Sequence, residues 1–300
     1  VIEFLVIGLT RGATYALVAL GYTMVYGILG MINFAHGEIY MIGMFACVFA
    51  IGFLSTLLGP GTAALLVAVL LAVGLAAAYG YSNERIAYRH LRKAHLLAPL
   101  TSAIGLSIVL QNFIMLSVSK GKIDFPRHYS GPLIETTFQI GSTTITGLQI
   151  AILVVTLLVM GGLFYLIYRT RMGIAMRATS QDQRMASLVG IPVNRTIATT
   201  FVIGSALAGL AGVMIAMYQG VLRFDSGYSM GLKAFTAAIL GGIGNIPGAV
   251  LGGLIIGLTE DATSHTIGSD WKDCTTFIIL MLVLILRPRG LLGERVADKV

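Results

Sequence analysis

The sequence predicts an all-α, polytopic membrane bundle of about eight to ten membrane segments, some of them short helices broken at glycine. Three observations predict it. Only 11% of the 300 residues are charged, 56% are hydrophobic and the mean hydropathy is +0.88, whereas soluble chains carry about 25% charged residues. Uncharged stretches long enough to cross hydrocarbon as helix, about 20 residues each, recur along the chain. Lys and Arg gather in short connections, and the alternation of a β-barrel is absent. The same composition excludes a disordered scaffold and a disulfide-stapled secreted fold, so residues 1–300 read as a single membrane domain. Cys47 and Cys274 stand in apolar runs and are expected to be packing residues. The first apolar run lacks a basic n-region, so no cleavable signal peptide is expected.

The first span is expected at 12–32. Residues 39–82 run uncharged for twice the needed length and are split by Gly59-Pro60-Gly61, which breaks a helix. Further spans are expected at 99–118, 146–168, 196–222, 234–258 and 274–286, giving eight by simple counting. The formal charge of +7 does not signal nucleic acid, because its placement follows membrane topology. Arg85, Arg89, Arg92 and Lys93 form one cluster, Arg169, Arg171, Arg177, Arg184 and Arg195 a second, and Arg287, Arg289, Arg295 and Lys299 a third. The positive-inside rule puts all three on the cytoplasmic side, which demands an even number of crossings between them. The interval after Arg195 holds three spans, so one must be a hairpin. Gly241-Gly242-Ile243-Gly244-Asn245-Ile246-Pro247-Gly248 cannot hold an unbroken helix and makes 234–258 that hairpin, its tip cytoplasmic. Loop 119–145 and the acidic stretch with Glu260, Asp261, Asp270 and Asp273 then fall outside.

Each half holds a glycine-broken segment, around 30–38 and around 241–248, which suggests an internal duplication. Small residues repeat at Ser205-x3-Gly209, Ala208-x3-Gly212, Gly248-x3-Gly252 and Gly253-x3-Gly257. Such faces let backbones approach closely, within the bundle or at a subunit interface.

Two stretches carry chemistry. In the cytoplasmic connection 169–195, Ser180 is expected to cap a short helix and Asp182 to sit in its first turn. Met185, Ala186, Leu188 and Val189 give it an apolar face, and Gly190 before Ile191-Pro192 ends it. Such a helix either rests on the membrane surface or docks into a groove on a cytoplasmic partner, small Ala186 and Gly190 permitting close approach. The second stretch, Met31-Ile32-Asn33-Phe34-Ala35-His36-Gly37-Glu38, sets an amide, an imidazole and a carboxylate between two spans. Ionisable groups at membrane depth are costly and usually functional; at the membrane surface the same residues would only cap and turn the chain. Gly241, Gly242 and Asn245 join Asn33, His36 and Glu38 as candidates for a path or gate. Arg11 is expected to snorkel to the interface. One His and one Glu make no metal site.

Three stretches, MVYGILGMINFAHGEIYMIG at 24–43, the loop around Ala178–Ile191, and LKAFTAAILGGIGNIPGA at 232–249, together resemble the LivH-type permease of bacterial ABC importers for branched-chain amino acids. The resemblance runs from about Gly8 to Val300. It implies an inner-membrane subunit that forms a pore with a second, LivM-type permease. A periplasmic binding protein would deliver leucine, isoleucine or valine, and two cytoplasmic LivG/LivF-like ATPase subunits would use ATP and Mg. The family's coupling helix carries E-A-A-x3-G. The resemblance lays it along Ala178, Ser180, Asp182, Met185, Ala186 and Gly190, without a literal leading Glu-Ala-Ala. The chain itself has no Walker A loop: Leu116 stands where the glycine preceding Gly121-Lys122 is required. Its His residues at 36, 90, 95, 128 and 265 show no recurring partner spacing, so no enzyme and no bound cofactor are expected. An ion-coupled secondary transporter or a channel for small amino acids or amides is the alternative; a secondary transporter would place acids within its spans, and only Glu38 is expected there.

Overall fold

The computed structural model describes residues 2–31, 33–92, 94–95, 97–126, 136–140 and 143–293. Lys93, His128, Arg295 and Lys299, with much of the loop 119–145, lie outside the described residues. The chain folds as α1 (Ile2–Leu29), α2 (His36–Leu58), α3 (Thr62–Asn83) and α4 (Leu97–Ser117), with α3 continued by a π-helical turn at Glu84–Tyr88 and one α-turn at Arg89–Leu91. After strands β1 (Ile123–Asp124), β2 (Thr137–Ile140) and β3 (Thr143–Thr146) come α5 (Gly147–Arg169), α6 (Arg171–Gln181), α7 (Gln183–Leu188) and α8 (Val193–Gln219). The chain closes with β4 (Val221–Leu222), α9 (Ser226–Gly241), α10 (Ile246–Thr266) and α11 (Lys272–Leu286).

Among the described residues six helices are long and apolar enough to cross a membrane: α1, α2, α3 with its extension, α4, α5 and α8. The rest of the expected segments are shorter or more polar. The 234–258 hairpin is two helices, α9 of 16 residues and α10 of 21, joined by Gly242–Asn245. Gly242 and Gly244 take φ of 104° and 94° there, a region that side chains with a Cβ avoid. The Gly59-Pro60-Gly61 break separates α2 from α3 as its composition requires, Gly59 at φ 78°.

The described parts of the three basic clusters meet at one end of the bundle. Arg92 donates to Asn194 Oδ1 at 2.7 Å, the Gln183 amide lies 3.4 Å from Ile28 O at the end of α1, and Leu291 N donates to Leu240 O at 2.8 Å beside the α9–α10 tip. This end is the cytoplasmic one by the positive-inside rule. At the other end β1 pairs with β4 and the Phe4 ring meets His265.

Helices α1–α2–α3 and α8–α9–α10 form an inverted repeat. Both α1 and α8 end at a left-handed glycine, Gly30 (φ 65°) and Gly220 (φ 73°). Links of equal length then lead to α2 and α9, and the markers Gly30, Phe34, Gly37 recur at the same spacing as Gly220, Phe224, Gly227. Each half lends its third helix to the other, α1 packing on α10 and α8 on α3. The structural counterpart of 30–38 is therefore 220–228, not the 241–248 break that the sequence suggested.

The small-residue faces are used inside the chain. A Cβ on Gly257 would lie 2.3 Å from Gly12 N, one on Gly253 2.6 Å from Ala16 N, and one on Gly252 2.0 Å from Ala237 O. In α8, Gly212 abuts Tyr40 O and Gly209 abuts Ala76. Backbones that approach this closely gain packing that side chains would prevent. Leu157, Leu158, Phe113, Leu116 and Met281 point outward from α4, α5 and α11, as in a bundle facing lipid. Cys47 is buried, but Cys274 is exposed on α11 rather than packed.

Candidate functional site

Connection 169–195 folds as two helices. Ser180 does not cap: it lies inside α6, its hydroxyl donating to Arg177 O at 2.7 Å. Asp182 is the cap instead, its Oδ1 accepting from Arg184 N at 2.7 Å and Met185 N at 3.0 Å. Asp outranks a Ser two residues earlier because its carboxylate reaches two orphan N–H groups and faces the positive end of the helix dipole. Gly190 closes α7 at φ 85° with open space around it. Ala186 is buried, while Met185, Leu188 and Val189 are 62, 80 and 77% exposed. The apolar face is therefore turned outward, next to a cleft of about 330 Å³ lined by Leu29, Gly30, Arg92 and Gln183. Ala178, in α6, lies one turn before the Asp182 cap, its carbonyl accepting from Asp182 N.

Asn33, His36 and Glu38 are all buried, at 2% exposure or less. A Cβ on Gly21 would lie 2.3 Å from His36 Nε2, and Gly21 is eight residues, ~12 Å, from the cytoplasmic end of α1. The start of α2 is thus within the bundle, and the surface alternative does not hold. Non-helical backbone is tolerated at such a depth because protein surrounds it. Tyr88 donates to Asn33 Oδ1 at 2.7 Å, and the Tyr22 ring packs edge-on to His36 with centroids 4.7 Å apart. Glu38 Oε1 accepts from Ser107 and Gln111 of α4, both at 2.8 Å. Its Oε2 has no hydrogen-bond partner among the described residues and faces Gly227, where a Cβ would come within 2.4 Å. A Cβ on Gly37 would meet Gly227 O at 2.3 Å, so the N-termini of α2 and α9 touch.

Gly241, Gly242 and Asn245 sit elsewhere, at the cytoplasmic tip. Gly241 packs on Gly248, Gly242 on Gly293, and Asn245 caps α10 through Gly248 N (2.8 Å) while donating to Leu292 O (2.9 Å). The two trios do not form one cluster.

Among the described residues Glu38 is not the only acid buried in the bundle. Glu260 belongs to α10 and is 1% exposed, and Lys233 Nζ of α9 lies 2.7 Å from both Glu260 Oε1 and Asp273 Oδ1. Tyr15 donates to Glu260 Oε2 at 2.6 Å and Thr276 to Oε1 at 2.9 Å. Arg11 lies 3.5 Å from Asp261 rather than only snorkelling. The signal missed was Lys233 itself, one residue outside the uncharged run. Ser107 and Gln111 were missed too, although their spacing of four puts both on one face of α4.

The family of branched-chain amino acid transport system permease components matches residues 4–285. A high-affinity branched-chain amino acid transport system permease protein, BraD of Pseudomonas aeruginosa, is 48% identical over the whole chain and 98% of its own length. LivH of Salmonella typhimurium is 48% identical and LivH of Escherichia coli K12 47%, each over 98% of this chain and 96% of its own length. No solved structure matches. The chain belongs to the branched-chain amino acid permease family.

Proposed function

We propose that the chain, as one permease domain, is the membrane subunit of an ATP-binding cassette importer for branched-chain amino acids, seated in the bacterial inner membrane. The observation that carries this is the near-complete alignment with permeases named for that transport. A second permease of the LivM type completes the pore, two LivG/LivF-like ATPases supply the work, and a periplasmic binding protein supplies substrate. ATP and Mg act on those ATPases, and this chain does no chemistry of its own.

The apolar, exposed face of α7 supports docking of this element on the ATPase. Closure of the ATPase dimer pulls the segment Ala178–Gly190, and the pull reaches both halves of the repeat: α8 follows it directly, Gln183 touches the end of α1, and Asn194 holds Arg92 beyond α3. Asn33, His36 and Glu38, where α2 and α9 meet, serve as the inner gate or substrate path, and Gly241, Gly242 and Asn245 as its cytoplasmic counterpart. An ion-coupled carrier gains no support from the Lys233–Glu260–Asp273 network, since both carboxylates already hold the Lys233 ammonium.

The test is Gly190→Arg. It puts a bulky cation at a left-handed position beside the exposed α7 face, and strain alone costs about 1–2 kcal/mol. Uptake and substrate-stimulated ATP hydrolysis in proteoliposomes are expected to vanish while the subunit remains inserted. Wild-type uptake by that variant would refute the docking.

A further inference from the structure

A second cleft, of about 480 Å³, opens between the outer sides of α3 with its extension and α8. Its two walls are helical stripes of matching polarity. On one, Arg89 stands at the cytoplasmic end and Tyr81 eight residues deeper; on the other, Arg195 leads through Thr199 to Val202. The walls are in register. Arg92 meets Asn194 at the bottom, and Gly80 packs against Ser205 at the top. At 1.5 Å per residue the cleft passes from guanidinium to aromatic and aliphatic surface over ~12 Å. Its charged end is at the cytoplasmic membrane boundary.

The local charge is uncompensated. Buried Glu84 is paired with both Arg89 and Arg92; among the described residues Arg85 bonds only the Tyr81 hydroxyl, at 3.2 Å, and Arg195 is exposed with no ion pair. The π-helical turn Glu84–Tyr88 lies on this wall, a distortion that often accompanies a functional site.

We propose that this cleft binds an anionic phospholipid of the inner leaflet, its phosphate held by Arg195 and Arg89 and an acyl chain lying along Tyr81 and Val202. The gradient from cationic to apolar matches the length of a headgroup and first chain segment, which a free phosphate would not use. Basic pockets between helices on the cytoplasmic side recognise such headgroups. The site is separate from the α7 face and does not depend on the importer reading.

The test uses the chain purified in mild detergent with whatever subunits copurify. It is titrated with dioctanoyl phosphatidylglycerol, dioctanoyl phosphatidylcholine and inorganic phosphate, bound ligand being counted by native mass spectrometry. Phosphatidylglycerol is expected to bind, Arg195→Gln to weaken it about fivefold, the share of one basic residue at a membrane surface, and Arg195→Lys to retain most of it. Val202→Trp leaves every charge in place, fills the apolar end, and is expected to weaken binding as well. If Arg195→Gln does not purify as an intact protein, Arg195→Lys and Val202→Trp decide. Equal binding of phosphatidylcholine, equally tight binding of inorganic phosphate, or unchanged lipid binding in Val202→Trp would overturn the proposal. So would a crosslink from residue 195 to a second protein subunit, because the cleft would then be a protein interface.

Discussion

The two halves of the inverted repeat enter the bundle in the same way and are furnished differently. Both Gly30–Ala35 and Gly220–Asp225 lead a chain end back into the interior, and α2 and α9 then touch through Gly37 and Gly227. On the first side the entering turn carries His36 and Glu38, both buried, with Glu38 holding Ser107 and Gln111 of α4. On the second side the matching positions are Ser226 and Tyr228, the latter 56% exposed, and the nearby Arg223–Asp225 pair is half-exposed. The second side is anchored deeper along α9 instead, by Lys233 to Glu260 and Asp273. One backbone plan therefore carries two anchors: a carboxylate that fastens a peripheral helix, and a cation that locks α9 to α10 and α11. The peripheral helix α4 is mostly exposed, which makes it the element that Glu38 can release.

The largest expected effect is at the lock. Lys233→Met leaves Glu260 buried without its cation, and removing one partner of such a pair costs about 3–5 kcal/mol. Loss of the folded subunit from detergent extracts is expected, followed by size-exclusion profile and thermal melting. An unchanged melt would show that Tyr15 and Thr276 hold Glu260 unaided.

Next comes the latch. Glu38→Ala removes the acceptor that both α4 donors, Ser107 and Gln111, share and is expected to abolish uptake with the protein still inserted. Glu38→Gln keeps an acceptor for Ser107 and should retain part of it. Near-normal uptake of labelled leucine by Glu38→Gln would take the charge out of any substrate path.

A smaller effect separates the touching glycines. Gly37→Ala drives a Cβ into backbone at Gly227 O and Gly231 Cα, whereas Gly227→Ala meets chiefly the far end of Glu38. Overpacking costs about 1–3 kcal/mol, and the cost falls when a flexible side chain can move. Gly37→Ala is expected to lower the melting temperature more than Gly227→Ala; the reverse order would contradict the tip-to-tip contact.

Much of this architecture is legible in the sequence. Periods of spanning length, the Gly59-Pro60-Gly61 break and the parity of basic clusters gave the helices and the common end at which Arg92, Asn194 and the α9–α10 tip now lie. Gly190 ended its helix as its αL preference demands. The site was legible only in part. Ser180 lost the cap to Asp182 because two N–H groups outbid a local i−3 bond. The pairing of 30–38 with 220–228 was hidden because the second copy has lost the Asn, His and Glu and keeps only the Gly–Phe–Gly spacing. Glu260 was read as a loop charge, and Lys233 received no role, because composition does not register partners that meet across three helices.

The account rests on α7 being an inward-facing lever worked by a separate ATPase. The direct measurement uses Leu188→Cys with Cys274→Ser, Cys47 being shielded in the core, in membranes carrying the assembled transporter. The cysteine should crosslink to the ATPase subunit with a yield that changes on nucleotide binding, and an impermeant maleimide added outside intact spheroplasts should not reach it. Labelling from the outside, or full transport with no contact between residue 188 and any ATPase, would contradict the account.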